Sequence, residues 1–123
     1  MAHAGAEGIR IVDDPITRDA LREMAGNQFG DFVKAVVDCA RGIMAIGGEL
    51  HADEETVLLD GGSAQRDLWG INLYPDLAGD DWIEYDSMIN VRPSQGNRSR
   101  GVDDPETRRR IADIVHSLVQ GGA

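Results

Sequence analysis

The chain has 123 residues and a formal net charge of −10, from 22 acidic and 12 basic side chains. This length suits one domain with one hydrophobic core. The acidic balance disfavours general nucleic-acid binding, because the chain would repel the phosphate backbone. No apolar run reaches the roughly 18–20 residues of a membrane helix, so neither nucleic acid nor membrane is expected as a partner.

The ends of the chain are expected to be flexible tails, residues 1–8 and 120–123, around a single domain at residues 9–119. Residues 1–8 lack the basic and apolar regions of a secretory signal. Cys39 is the only cysteine, which excludes an intrachain disulfide. Its apolar neighbours predict a small buried hydrophobe. A cytoplasmic location follows as the expectation, because the cytoplasm keeps thiols reduced.

A short motif, Val-Asp-Asp-Pro-x-Thr-Arg, occurs at residues 12–18 and again at 102–108. Asp14 and Asp104 are suited to cap helices whose first residue is the following proline. The apolar spacing after each copy fits one buried helical face. The predicted helices are residues 15–25 and 105–119.

The middle of the chain predicts strands. Apolar and polar residues alternate there, and β-branched residues are frequent. Arg41-Gly42 suits a hairpin turn, although residues 32–46 also tolerate a helical period. A short helix is predicted at 52–59. The predicted strands are residues 32–39, 43–51, 68–74 and 82–91, with 9–12 as a further edge strand.

These elements predict an α+β fold. Its mainly antiparallel sheet has about four strands, with two or three helices on one face.

Glu49, His51 and Asp53 are the candidate catalytic residues. On a strand, Glu49 and His51 would point to the same side, and Asp53 or Glu54 could join them. The group suits a general base with an orienting carboxylate, because histidine titrates near neutrality. The alternative is structural, with a carboxylate orienting His51 or capping the next helix. One histidine is too few for a typical zinc site, so no metal or cofactor is expected.

A dense polar run follows the last predicted strand, and three of its arginines lie within nine residues. Arginine side chains and loop N–H groups together form anion sites. The alternative is that these arginines pair with surface carboxylates. The candidate ligand-binding residues are Asp86, Asn90, Arg92, Ser94, Gln95, Asn97, Arg98 and Arg100.

Three strings of the sequence, residues 44–55, 67–75 and 82–101, resemble signature strings of a small uncharacterised prokaryotic family. The family is a domain of unknown function. The resemblance runs from about Ile9 to Val119 and implies one compact domain. It implies no activity and no site residue.

The leading functional hypothesis is a cytoplasmic domain that binds a small anion or a phosphate-containing ligand. It requires His51 and the arginine-rich run to share one concave site. A hydrolase with His51 as general base is the first alternative. A homodimeric structural or interaction module, associating through an exposed sheet edge, is the second.

Overall fold

A computed structural model describes residues 8–121, and the expected tail residues 1–7 and 122–123 lie outside this range. The helices are α1 (Arg18–Gly26), α2 (His51–Asp60) and α3 (Pro105–Leu118). The strands are β1 (Arg10–Val12), β2 (Ile16–Thr17), β3 (Val33–Asp38), β4 (Ile43–Ile46), β5 (Leu68–Leu73), β6 (Ile83–Glu84) and β7 (Val119–Gln120). Short 3-10 helices occur at Gln65–Asp67, Gly79–Trp82, Met88–Asn90 and Pro93–Gln95. None of the described helices is long and apolar enough to cross a bilayer.

Five strands form one antiparallel sheet in the order β1-β4-β3-β5-β6, which confirms the predicted α+β class. The β3–β4 hairpin is the predicted one. Gly42 lies in its turn with φ of 68°, a conformation that favours glycine. β1 is the expected edge strand and pairs with β4. β2 and β7 form a separate parallel pair, so Gln120, expected in the tail, lies in a strand.

The sheet has an apolar core on each of its two faces, and side chains of β3 contribute to both. Val33, Ala35 and Val37 pack on the face that carries α1 and α3. Val36 points to the opposite face, where it packs against Leu58 of α2. Two helices therefore share one face, as expected, and α2 covers the other. The predicted site residue His51 is the first residue of α2.

The helix predicted at residues 15–25, from the first copy of the repeated motif, exists as α1 but starts later, so its predicted start at Pro15 and its Asp14 cap were wrong. Ile16 instead pairs with Val119 across the parallel strands, and both side chains are buried. The helix begins after Thr17, whose hydroxyl accepts a hydrogen bond from the Ala20 N–H at 3.1 Å. The second copy behaves as predicted, because the Asp104 carboxylate caps α3.

The strand predicted at residues 43–51 was too long. β4 ends at Ile46 because Gly47 turns the chain with φ of 87°. A Cβ on Gly47 would lie 2.8 Å from the Gly8 carbonyl oxygen, so only glycine fits there. Glu49 is consequently in a bend and His51 in a helix, and the strand geometry expected for them does not exist.

The strand predicted at residues 82–91 was also too long. Only Ile83 and Glu84 pair with β5, at Leu73 and Asn72. The chain then leaves the sheet and forms the 3-10 turn Met88–Asn90. Asp86 and Asn90 are therefore not on one strand face.

Candidate functional site

The Asn90 side chain is fully buried. It forms the hydrogen bonds to β5 that the backbone of a neighbouring strand would otherwise form. Its Oδ1 accepts a hydrogen bond from the Gly70 N–H at 2.8 Å, and its Nδ2 donates to the Gly70 carbonyl at 2.9 Å. The same Nδ2 donates to the Arg100 carbonyl at 2.9 Å. Asn90 thus satisfies the backbone of β5 where β6 has ended, and its amide has no remaining role in a ligand site.

Arg92 is also a buried side chain that binds backbone. It donates to the Gln65 and Leu68 carbonyls, both at 2.6 Å. Its guanidinium carbon lies 4.1 Å from the centre of the Trp69 ring. An anion at Arg92 would have to replace these carbonyls, so Arg92 holds the polar run to β5.

The Asn97 side chain holds the polar run together by hydrogen bonds to backbone groups on either side of it. Its Nδ2 donates to the carbonyls of Asn90 and Gly101, each at 2.8 Å. Its Oδ1 accepts from the Asp103 N–H at 2.8 Å. The buried amides of this segment therefore build the turn that leads into α3.

The remaining candidates of the run lie at the surface. Arg100 forms an ion pair with Asp86, at 2.6 Å between Nε and Oδ1. The exposed side chains of Ser94, Gln95 and Arg98 have no hydrogen bond or ion pair within residues 8–121. These three are the predicted ligand-binding side chains that stay available to a ligand.

His51 lies with one nitrogen, Nε2, 2.8 Å from the Ile71 carbonyl, and it is 9% exposed. Because a carbonyl only accepts, this nitrogen carries the proton. The neighbouring Asn72 side chain donates to Glu84 at 2.8 Å and to the Asp86 carbonyl at 3.5 Å. Asn72, which neighbours His51, is therefore connected by a hydrogen bond to the backbone of Asp86, and Asp86 is ion-paired with Arg100.

Burial lowers the pKa of His51, and the positive charge of Lys34 lowers it further. The hydrogen bond to Ile71 and the charge of Asp86 oppose this shift. His51 is consequently held in its neutral form. Of the predicted catalytic residues, Glu49 is exposed and Asp53 is partly buried, and no hydrogen bond joins either of them to His51 in the described part of the chain.

Glu54 lies about one helical turn after His51. Glu54 is completely buried, and its Oε2 accepts from the Gly48 N–H at 2.9 Å. Its Oε1 has no hydrogen-bond partner among residues 8–121. Burial raises the pKa of Glu54 well above its ordinary value. No group of three metal-ligating side chains occurs among the described residues.

Cys39 is half-buried against the core. Burial raises the pKa of its thiol to about 11. The thiol therefore keeps its proton near neutral pH and is a poor nucleophile. This geometry agrees with the expected packing role.

A cleft that the sequence did not predict lies between α3 and the segment of residues 79–85, with a volume of about 580 Å³. We call it the α3 cleft. It is lined by Gly79, Asp80, Ile83, Tyr85, Arg108, Arg109, Ala112 and His116.

Arg108 and Arg109 are the basic side chains at one end of the α3 cleft. The Arg108 guanidinium lies 4.7 Å from the centre of the Tyr85 ring. Neither guanidinium has a hydrogen bond or an ion pair with the residues that the structure describes. Arg110, by contrast, donates to the Cys39 carbonyl at 3.0 Å.

The other end of the cleft contains His116. Trp82 Nε1 donates to His116 Nε2 at 3.4 Å, and the two rings are nearly parallel. Arg108 and Arg109 lie off the buried stripe of α3, so the apolar periodicity of the sequence did not indicate a cleft beside them. The signal that was missed is the spacing of Arg109, Ala112 and His116, which puts them on a second face of the same helix.

Comparison with known proteins gives one match. A family model described as a protein of unknown function (DUF5674) matches residues 10–118. No curated protein and no solved structure matches the chain. The matched range includes all three helices and the whole five-stranded sheet. The chain therefore belongs to the DUF5674 family of proteins of unknown function.

Proposed function

We propose that this protein is a cytoplasmic domain that binds a small anion or a phosphate-containing ligand, and that the ligand occupies the α3 cleft. One observation carries the proposal. Two arginines whose guanidinium groups form no hydrogen bond or ion pair with residues 8–121 line a concavity of about 580 Å³, within the range of about 300–1,000 Å³ that is usual for ligand sites. Free guanidinium groups in a concave site offer bidentate hydrogen bonds to phosphate or carboxylate.

The choice of the cleft over the polar run depends on which arginines are free. In the polar run Arg98 is the only arginine without a side-chain bond among residues 8–121, since Arg92 is bound to two carbonyls and Arg100 is paired with Asp86. A ligand at Arg92 or Arg100 would have to displace an existing bond. Arg108 keeps its donors, because stacking on Tyr85 occupies its face and not its N–H groups.

A calorimetric titration with phosphate and with small carboxylates tests this proposal. The informative variant is Arg108→Gln with Arg109→Gln. Each charge-assisted contact is worth about 1.5–3 kcal/mol, so we expect the affinity for phosphate to fall by more than tenfold.

The matched control is Arg10→Gln with Arg66→Gln, which removes the same charge from exposed positions outside the cleft. We expect its affinity to change by no more than about threefold, because exposed charges are screened by salt. An equal loss in both pairs, or a wild-type protein that binds neither phosphate nor carboxylates at millimolar concentration, refutes the proposal.

A hydrolase that uses His51 as general base is the second candidate. His51 and Glu54 lie one turn apart, and burial shifts their pKa values in opposite directions. Such a pair of groups is typical of an acid and a base that act together. The Oε1 of Glu54 has no hydrogen-bond partner in the described part of the chain, which is consistent with a proton held for transfer.

A screen with generic ester and phosphoester substrates tests the hydrolase candidate. The variant is His51→Gln, whose amide can still donate to the Ile71 carbonyl. Turnover in the wild type that disappears in His51→Gln supports the candidate. Turnover that is unchanged in the variant, or absent in the wild type, argues against it.

A further inference from the structure

The α3 cleft follows the helix, with Arg108 and Arg109 at one end and His116 at the other. Arg108 and His116 are both lining residues, eight positions apart on α3. A helix rises about 1.5 Å per residue, so the cleft extends about 12 Å along the helix. An inorganic phosphate is far too small to occupy that length.

Contacts across the cleft fix the direction of the opposite wall. Tyr85 lies against Arg108, and Trp82 lies against His116. Residues 82–85 therefore run antiparallel to α3. Between the two ends, Ile83 and Ala112 give the cleft an apolar middle.

Asp80 is the one acidic residue among those that line the cleft. It lies in the same 3-10 helix, Gly79–Trp82, as Trp82, which contacts His116. Burial raises the pKa of Tyr85, the charge of Arg108 lowers it, and the charge of Asp80 adds a smaller upward shift, as expected for two opposite charges in one cleft. A second anionic group on the ligand would meet this carboxylate.

We infer that the ligand is an elongated organic anion. One phosphate or carboxylate binds Arg108 and Arg109, and an uncharged apolar or aromatic body lies along Ile83 and Ala112. The inference rests on the proposed function, because it names the ligand class of the same site. A ligand with an anionic group at both ends is disfavoured by Asp80.

Three probes of known structure test this inference by calorimetry: inorganic phosphate, 2-naphthyl phosphate and hexane-1,6-diyl bisphosphate. We expect 2-naphthyl phosphate to bind about tenfold tighter than inorganic phosphate, because the ring buries apolar surface in the cleft. The bisphosphate should bind at least about tenfold more weakly than 2-naphthyl phosphate.

Two variants separate the body of the ligand from its anionic group. Ala112→Gln fills the middle of the cleft, so it should weaken 2-naphthyl phosphate by about tenfold and inorganic phosphate by less than about twofold. Asp80→Asn should strengthen the bisphosphate by about fivefold and leave 2-naphthyl phosphate within about twofold.

The outcomes distinguish the inference from the proposed function. If inorganic phosphate binds and 2-naphthyl phosphate binds no tighter, or is insensitive to Ala112→Gln, the inferred ligand class is overturned and the anion site stands. An Asp80→Asn protein that gains nothing for the bisphosphate overturns the exclusion of a second anion. If none of the three probes binds, both the inference and the proposed function are refuted.

Discussion

At the scale of single residues, burial shifts the pKa values of two ionisable groups on the inner face of α2 in opposite directions. Glu54 is fully buried with one bond, from Gly48, and a Cβ on Gly48 would lie 2.8 Å from Glu54 Cγ. His51, one turn earlier, is buried against Ile71. The helix buries both groups against a sheet face that contains polar side chains, and this burial favours the neutral form of each.

Glu54 is expected to make stability depend on pH. Its pKa is raised in the folded state, so its stabilising contribution is complete below about 4.5 and is lost as the pH rises toward the folded-state pKa. Glu54→Gln should therefore be more stable than wild type at pH 8 by at least about 1 kcal/mol, with the difference shrinking toward pH 4.5. Urea denaturation across this pH range measures it.

Glu49→Gln is the control for this prediction, because Glu49 is exposed on the same connection between β4 and α2. At this exposed position the substitution should change stability by less than about 0.5 kcal/mol. A Glu54→Gln protein whose stability difference from wild type is independent of pH would contradict the account of Glu54.

His51 is expected to titrate below its ordinary pKa, by NMR of its ring proton. Two substitutions should move that pKa in opposite directions. Lys34→Gln removes a nearby positive charge and should raise it, whereas Asp86→Asn removes a negative charge and should lower it. Protonation opposes folding here, so stability should be lost as the pH falls through the folded-state pKa. A midpoint above 6.5, or the reverse order of the two variants, contradicts the assignment.

At the scale of elements, side chains of the polar run after β6 form hydrogen bonds to β5 that the backbone of a neighbouring strand would otherwise form. Asn90 pairs with Gly70 through both polar atoms of its side-chain amide, Oδ1 and Nδ2. Gly70 must be glycine, since a Cβ there would lie 2.5 Å from Ser87 Cβ. The run is thus part of the fold, which explains why so many hydrogen-bonding side chains crowd together in it.

Asn90→Ala is predicted to be strongly destabilising. It leaves the N–H and carbonyl of Gly70 buried without these partners, and each unsatisfied group costs about 1–3 kcal/mol. We expect a loss of about 2–4 kcal/mol in the free energy of unfolding, measured by urea denaturation. Gln95→Ala, an exposed position in the same run, should change stability by less than about 0.5 kcal/mol. Equal effects of the two substitutions would contradict a structural role for Asn90.

Elements that depend on nearby residues were predictable from the sequence. The β3–β4 hairpin follows from β-branched alternation around Gly42, and α3 follows from its cap and apolar stripe. The three errors each involve a partner far along the chain. Ile16 pairs with Val119, Gly47 lies against Gly8, and Asn90 binds Gly70. Local periodicity contains no information about such partners.

At the scale of the whole molecule, the sequence predicted an anion-binding function from an excess of arginine in an acidic chain. It could not show which arginines are free. Arg92 and Arg110 bind carbonyls and Arg100 binds Asp86, whereas Arg108 and Arg109 line one concavity together and form no hydrogen bond or ion pair in the described part of the chain. That distinction depends on how α3 packs beside residues 79–85.

Association through a sheet edge stays a prediction. The outer strands of the sheet are β1 and β6, which have three and two residues. Short edge strands are one means by which proteins avoid edge pairing. We therefore expect a monomer in light scattering coupled to size-exclusion chromatography. A stable dimer that Ile11→Lys separates into monomers would show pairing through β1.

The most direct test of the central claim is an amide NMR titration of the whole chain with phosphate. The account predicts that shifts concentrate in residues 79–85 and 108–116, the two walls of the α3 cleft, and that Arg108→Gln with Arg109→Gln abolishes them. Shifts that instead concentrate at residues 92–100, or that persist in the double variant, would contradict it.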